Sequence, residues 1–192
     1  MLSSLKLNQR AFIIYKWFNS LFLGVSIGSV FTIYEPLDPS VYSLGGIFLA
    51  LVMIIVAKFY NKILNAYYFF RISILVELIV LAMLVSFLIF SYSYQTALFI
   101  YIGYQITFVF GSYLVRAETL VFNDNEVLTK IDIAKQIGYL FGMAVSYLFY
   151  KGLEYYELIL DKQEQVYNIH FILLAIELSV LYFLIRAFTK TD

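Results

Sequence analysis

The sequence predicts an all-α membrane protein, a single bundle of six transmembrane helices with both ends of the chain in the cytoplasm. Three observations carry that expectation. Of the 192 residues, 62% are hydrophobic and 14% charged, where a soluble domain carries about a quarter charged residues. The stretch from Leu78 to Val115 holds no Asp, Glu, Lys or Arg; it is nearly twice as long as the roughly 20 residues that cross a ~30 Å hydrocarbon layer, and so reads as two helices and a turn. The basic residues, finally, divide unequally between the two sides once six spans are drawn.

The spans are placed where charges interrupt the apolar pattern. The first covers 11–34 and the second 39–57, joined by Glu35-Pro36-Leu37-Asp38. The third covers 72–90 and the fourth 97–115, with Ser91-Tyr92-Ser93-Tyr94-Gln95-Thr96 turning between them. The fifth, 133–150, has a short uncharged core that needs Lys135 or Lys151 to snorkel, and Thr129-Lys130-Ile131-Asp132 ahead of it has capping-box spacing. The sixth covers 167–185. With this division Lys6, Arg10, Lys16, Lys58, Lys62, Arg71, Arg116, Lys130, Lys135, Arg186 and Lys190 lie inside, and only Lys151 and Lys162 outside, which points to a bacterial cytoplasmic (inner) membrane protein. Lys6, Arg10 and Lys16 precede an apolar stretch with no small-x-small cleavage site, so that stretch reads as a retained helix. Leu2, Leu5 and Leu7 suggest that Met1–Arg10 lies along the interface. Outside, Glu154, Glu157, Asp161 and Glu164 share one helical face and Leu153, Tyr156 and Leu160 another, the pattern of a short acidic surface helix. Tyr34, Tyr42, Tyr92, Tyr94, Tyr150 and Tyr167 stand where an interfacial belt of aromatics belongs.

Several classes of function are disfavoured. Formal charge is zero and there is no long basic block, so nucleic acid is not an expected partner. Cysteine is absent and His170 is the only histidine, which removes thiolate chemistry and a multi-histidine metal cage. HExxH, GxSxG and a Walker lysine loop are missing as well; the chain does not read as an enzyme, and no cofactor is expected.

Two stripes of small residues recur at intervals of four: Ser20, Gly24 and Gly28 on the first span, and Ala134, Gly138, Gly142 and Ser146 on the fifth. In lipid such stripes let two helix backbones approach closely. Gly103, Thr107 and Gly111 on the fourth form a weaker version.

Polar residues inside the spans need a reason. Glu177 sits near the middle of the sixth, where a charged carboxylate costs at least ~2.5 kcal/mol unless it is neutralised, solvated or paired; it is a candidate for proton or cation coupling. His170 lies seven residues earlier on nearly the same face, roughly 10 Å away by helical rise. Glu77 reads as an anchor near the cytoplasmic end of the third span, paired with Arg71 or another basic residue. On the fourth span Tyr101, Gln105, Phe108 and Ser112 are spaced by three and four and continue toward Arg116, a stripe able to line a cavity. Asn19 and Ser26 on the first span are placed to face it.

This organisation resembles one six-helix half of a major facilitator superfamily transporter. Gly111-Ser112-Tyr113-Leu114-Val115-Arg116-Ala117-Glu118 looks like the cytoplasmic end of that family's fourth helix, and Gly138 to Ser146 like its glycine-rich fifth. The loop Ala57-Lys58-Phe59-Tyr60-Asn61-Lys62-Ile63-Leu64-Asn65 keeps basic residues but lacks the glycines and aspartate of the family's loop. The resemblance implies a substrate cavity built from the first and fourth spans, here Asn19, Ser26, Tyr101, Gln105, Ser112 and Arg116. It also implies a second six-helix unit, either another copy of this chain or a similar partner. The expected function is thus transport of an unidentified small molecule by a half-size carrier acting as a dimer in the lipid bilayer. The alternative is a non-transporting membrane subunit or assembly protein.

Overall fold

A computed structural model describes residues 5–34, 37–156, 159 and 161–190. Nearly all of it is helical, and each long helix except α3 starts where a side chain takes up free backbone N–H groups. The Asn8 side chain accepts from Ala11 N–H to open α1 (Gln9–Ser26). Ser29 donates its hydroxyl to the Ser26 carbonyl at the end of α1, and the chain resumes as the short α2 (Val30–Tyr34). Pro39, with its fixed φ, opens α3 (Pro39–Lys58). The single turn α4 (Tyr60–Ile63) leads to Asn65, whose side chain caps α5 (Ala66–Ile89). Ser93 caps α6 (Tyr94–Phe122). Asn123, at φ 39°, ends α6 in the left-handed conformation, and Asp124 immediately caps α7 (Asn125–Tyr155). Asp161 caps α8 (Lys162–Ala187).

The two ends of the described chain meet. β1 (Leu5–Leu7) pairs antiparallel with β2 (Phe188–Lys190), Leu7 opposite Phe188, and Asn8 N–H extends the ladder to the Ala187 carbonyl at 2.8 Å. This strand end of the bundle is a reference level for what lies above it.

α1 packs against α7 and α8, α8 against α5, and α5 against α6, while α3 touches the others chiefly through α6. Phe12, Phe69, Phe87, Tyr113, Ile169 and Leu184 are fully buried between these elements. The α1–α7 contact is backbone on backbone. A Cβ on Gly24 would lie 2.4 Å from the Tyr139 carbonyl oxygen and 2.9 Å from Gly142 Cα, and one on Gly138 would lie 2.3 Å from the Trp17 carbonyl oxygen. The two small-residue stripes therefore face each other within one chain, with Ala134 and Ser146 buried along the same line and Gly28 against the Tyr150 ring. Ser20, beside them, is half-buried. On α6 only Gly103 is tightly covered, by Met83, and Gly111 faces open space.

The expectation of a six-transmembrane-helix bundle is overturned, and with it the likeness to half of a major facilitator carrier. Among the described residues four helices are long and apolar enough to cross a membrane: α3, α5, α6 and α8. α1 and α7 are long but fall short of that apolarity. The first carries Arg10, Lys16 and Asn19 within 18 residues, and the second carries Glu126, Lys130, Asp132, Lys135, Lys151 and Glu154. Charge-free runs in the sequence mark apolar cores well, but they do not separate a helix that faces lipid from one that turns its polar groups toward other helices.

Smaller readings shift too. α7 begins at Asn125 under the Asp124 cap, so Thr129 to Asp132 lie inside the helix rather than ahead of it. The acidic surface helix falls partly outside the described residues, at Glu157 and Leu160. Of its remaining members Glu154 ends α7 and pairs with Lys151 at 2.5 Å, Asp161 caps α8, and Glu164 stands in the first turn of α8. Met1 to Ser4, the Glu35-Pro36 connector and the Tyr34 side chain also lie outside the described residues.

Candidate functional site

Glu77 and Glu177 occupy comparable levels of the bundle. Glu77 is eleven residues above the start of α5 and Glu177 ten below the end of α8, which places both roughly 15 Å from the strand end by helical rise. Both are buried, at 2% and 1% exposure, and Glu177 lies in the electrostatic field of Glu77. They differ in their donors. The Tyr15 hydroxyl donates to Glu77 Oε1 at 2.7 Å and the Asn19 amide donates to the same oxygen at 3.1 Å. Neither oxygen of Glu177 has a hydrogen-bond partner among the described residues. Tyr15 and Asn19, four apart on α1, share the face that meets α5. Burial, and then the charge of Glu77, hold the Tyr15 hydroxyl well above its ordinary range, so it stays a donor across the working pH range.

Toward the strand end a second polar cluster closes over the pair. Glu118 of α6, 4% exposed, takes a hydrogen bond from Lys135 of α7 at 2.5 Å. Lys16 of α1 stands 2.7 Å from its other oxygen, in ionic contact but without hydrogen-bond alignment. Lys135 also reaches Asp132 at 3.1 Å. Burial acts to lower the Lys135 ammonium, and the hydrogen bonds and charges of Glu118 and Asp132 outweigh it, leaving Lys135 above the ordinary lysine range.

On the other side lies a cavity of about 20 Å³, lined by Phe22, Ser26, Ser29, Tyr104, His170 and Leu173 among others, with room for about one water. His170 is buried there, stacked on Phe87 with centroids 4.0 Å apart, and its Nδ1–H donates to the Val166 carbonyl at 2.6 Å.

Of the residues singled out from the sequence, Asn19, Ser26, His170 and Glu177 come together in this interior. The α6 stripe does not join them. Tyr101 lies over Gly45 of α3 and donates to the Tyr42 carbonyl at 3.0 Å. Gln105 borders an apolar groove of about 430 Å³ between α3 and α6. Ser112 is exposed, and Arg116 is exposed with its guanidinium 5.8 Å from the Tyr60 ring centre. Spacing by three and four identifies a helix face but not which neighbour that face meets. The inward face of α6 is the one bearing Ile100, Tyr104, Tyr113, Ala117 and Glu118.

Glu77 is no end anchor. Capping by Asn65 starts α5 six residues before the expected span, which carries Glu77 toward mid-helix, and Arg71 instead lies against the Tyr67 ring. Sequence reading missed Tyr15 and the Lys16–Glu118–Lys135 cluster. The spacing of Tyr15 and Asn19 was the available signal for the first; nothing local links three residues on three helices.

Four helices long and apolar enough to cross a membrane make this a membrane-associated all-α protein. Comparison with protein-family models, curated proteins and solved structures finds no match.

Proposed function

We propose that this chain is a transport-related membrane protein whose working element is the Glu77–Glu177 pair, which takes up and releases a proton within the bundle. The observation that carries the reading is the asymmetry of the pair. Two carboxylates share a site of low dielectric, where both cannot be ionised without a cation nearby, and only one of them is furnished with donors. An acid kept for packing alone would be hydrogen-bonded; Glu177 has no such partner among the described residues. Tyr104, His170 and the two serines lie on one side of the pair, positioned to pass a proton through a bound water.

Purified protein in vesicles holding a pH-sensitive dye, under a potassium diffusion potential, is expected to move protons. Glu177→Gln, which keeps the shape but holds no exchangeable acid, is expected to slow this by about a hundredfold, the scale of a lost proton-transfer group, and to flatten its pH dependence. Wild-type flux in Glu177→Gln would sink the assignment.

A second reading, a non-transporting subunit, is favoured by one feature. α3 has no buried residue, and Leu44, Ile47, Phe48, Leu51, Ile54 and Ile55 are all exposed on it, a surface suited to lipid or to another protein. Absence of flux together with one-to-one co-purification of a partner, or a mass in lipid discs of twice 22.3 kDa with no flux, would favour it.

A further inference from the structure

We infer that Lys16 is a movable counter-ion: Glu118 holds it in this structure, and it passes to the Glu77–Glu177 pair when that pair gives up its proton, so that the Glu118 cluster sets the pH at which the pair discharges. The inference rests on the proton-handling role proposed above.

Charge counting comes first. Glu118 faces two ammonium groups, one of which, Lys135, it shares with the exposed Asp132, whereas Glu77 and Glu177 have none in ion-pair contact among the described residues. Lys135 is tied down twice, by an aligned hydrogen bond to Glu118 and by Asp132. Lys16 is the looser partner, in ionic contact with Oε2 but not aligned to it. Its departure leaves Glu118 still hydrogen-bonded to Lys135.

Position comes second. Lys16 follows Tyr15, the residue that donates to Glu77. The charge of Lys16 already acts on Glu77, and Tyr15 lies in the fields of Glu77, Glu118 and Glu177 together. The side chain is 12% exposed, and its ammonium rides over the Phe12 and Tyr15 rings at 5.4 and 5.3 Å from their centres. A lysine is suited to this task, being a compact charge on a flexible stem with three rotatable donors. The other polar and charged groups around the site are Tyr15 and Asn19 on α1, Tyr104 on α6, Asp132 and Lys135 on α7 and His170 on α8. None of them is a second mobile cation.

Architecture comes third. α6 and α7 are joined by Asn123 and Asp124 alone yet touch little above that junction, so Glu118 is the bridge from α6 to both α1 and α7. In the exchange the carboxyl O–H bond of the pair breaks, its proton leaves to water, and an N–H···O contact from Lys16, still an ammonium, takes its place. The charge at the pair does not change, because the ammonium arriving there replaces the proton that left; the bundle as a whole gives up one positive charge to water, and Glu118 keeps Lys135.

The test needs no transport. In lipid discs, the C=O stretching band of protonated carboxyls is followed by infrared spectroscopy against pH, with the part lost in Glu77→Gln and Glu177→Gln assigned to the pair. Glu118→Gln releases Lys16 and is expected to lower the midpoint of that band by about one pH unit or more. Lys16→Gln removes the counter-ion and is expected to raise it by a similar amount, with Lys16→Arg bringing it back toward wild type. Fixed charges at the same places would also give opposite shifts, so movement is read from the Glu118 carboxylate stretch, assigned by its loss in Glu118→Gln: it is expected to shift as wild type crosses the midpoint, when Lys16 leaves, and to stay constant over the same range in Lys16→Gln. If Glu118→Gln does not fold, the band is assigned by its displacement in Lys16→Gln, and its behaviour across the wild-type midpoint decides. Unmoved midpoints, shifts of one sign in both variants, or a Glu118 band that stays constant across the wild-type midpoint overturn the inference while leaving the pair's proton binding intact. Absence of any titrating band lost in Glu77→Gln or Glu177→Gln overturns both.

Discussion

Replacing Gly142 with alanine is expected to destabilise the fold by the upper part of the ~1–3 kcal/mol that overpacking costs, and Gly142→Leu to separate α1 from α7. The added Cβ would stand 2.3 Å from the Leu21 carbonyl oxygen, 2.9 Å from Gly24 Cα and 2.9 Å from Val25 N. All three are backbone atoms, so no change of rotamer relieves the clash and the helices themselves must move apart. The same substitution at Gly46 or Gly111, where a Cβ meets nothing within 4 Å, removes a poor helix former and is expected to leave stability unchanged or raised by up to ~1 kcal/mol. Thermal unfolding in detergent, followed by helical circular dichroism, compares the variants directly. Equal melting temperatures for Gly142→Ala and Gly111→Ala would show that the seam tolerates what its geometry forbids.

The second large effect has the opposite sign. Glu177→Met is expected to stabilise the protein by about 1–3 kcal/mol, the cost of a buried polar group left without a partner, while abolishing proton movement. The methionine fills the same space flexibly and removes a carboxylate whose oxygens have no partner among the described residues and which lies in the field of Glu77. Glu77→Met is expected to do the reverse. It strands the Tyr15 hydroxyl and the Asn19 amide, each of which now donates to Glu77, at about 1–3 kcal/mol for each buried group left unsatisfied. Two carboxylates at one level of the bundle thus divide into one retained at a cost to stability and one built into the packing. A lower melting temperature for Glu177→Met would assign Glu177 to structure and remove the main support for the transport reading.

The contrast between these two acids also shows what the sequence discloses. Glu177 is conspicuous because it interrupts an apolar run, and an interrupted run needs no partner to be noticed. Glu77 was misread because its depth depends on where α5 begins, and that is decided by the Asn65 cap rather than by hydropathy. The glycine stripes were legible as close-approach surfaces from their four-residue spacing, but that α1 and α7 face each other is a matter of chain topology. The six-span expectation failed for a related reason: α1 and α7 are helical and periodic, yet Lys16, Asn19 and Lys135 on them face other helices in the interior, and an apolarity sum counts such groups as though they faced lipid. The α6 stripe from Tyr101 to Arg116 was a true face assigned to the wrong neighbour.

The order in which the chain is made gives the α1 contacts a consequence for biogenesis. α1 carries Lys16 and Asn19 and is not among the four helices long and apolar enough to cross a membrane, and its main partners are α7 and α8. Ser26 precedes Asn125 by about a hundred residues. At synthesis rates of about 5–20 residues per second α1 therefore waits roughly 5–20 s for α7 to emerge. During that interval its glycine face and its lysine are unmatched, which makes it a natural client for an insertase or chaperone. Seating α1 is then a late step, completed when α7 and α8 arrive and β2 pairs with β1. Truncation before α8 is accordingly expected to strand α1 as well as remove α8.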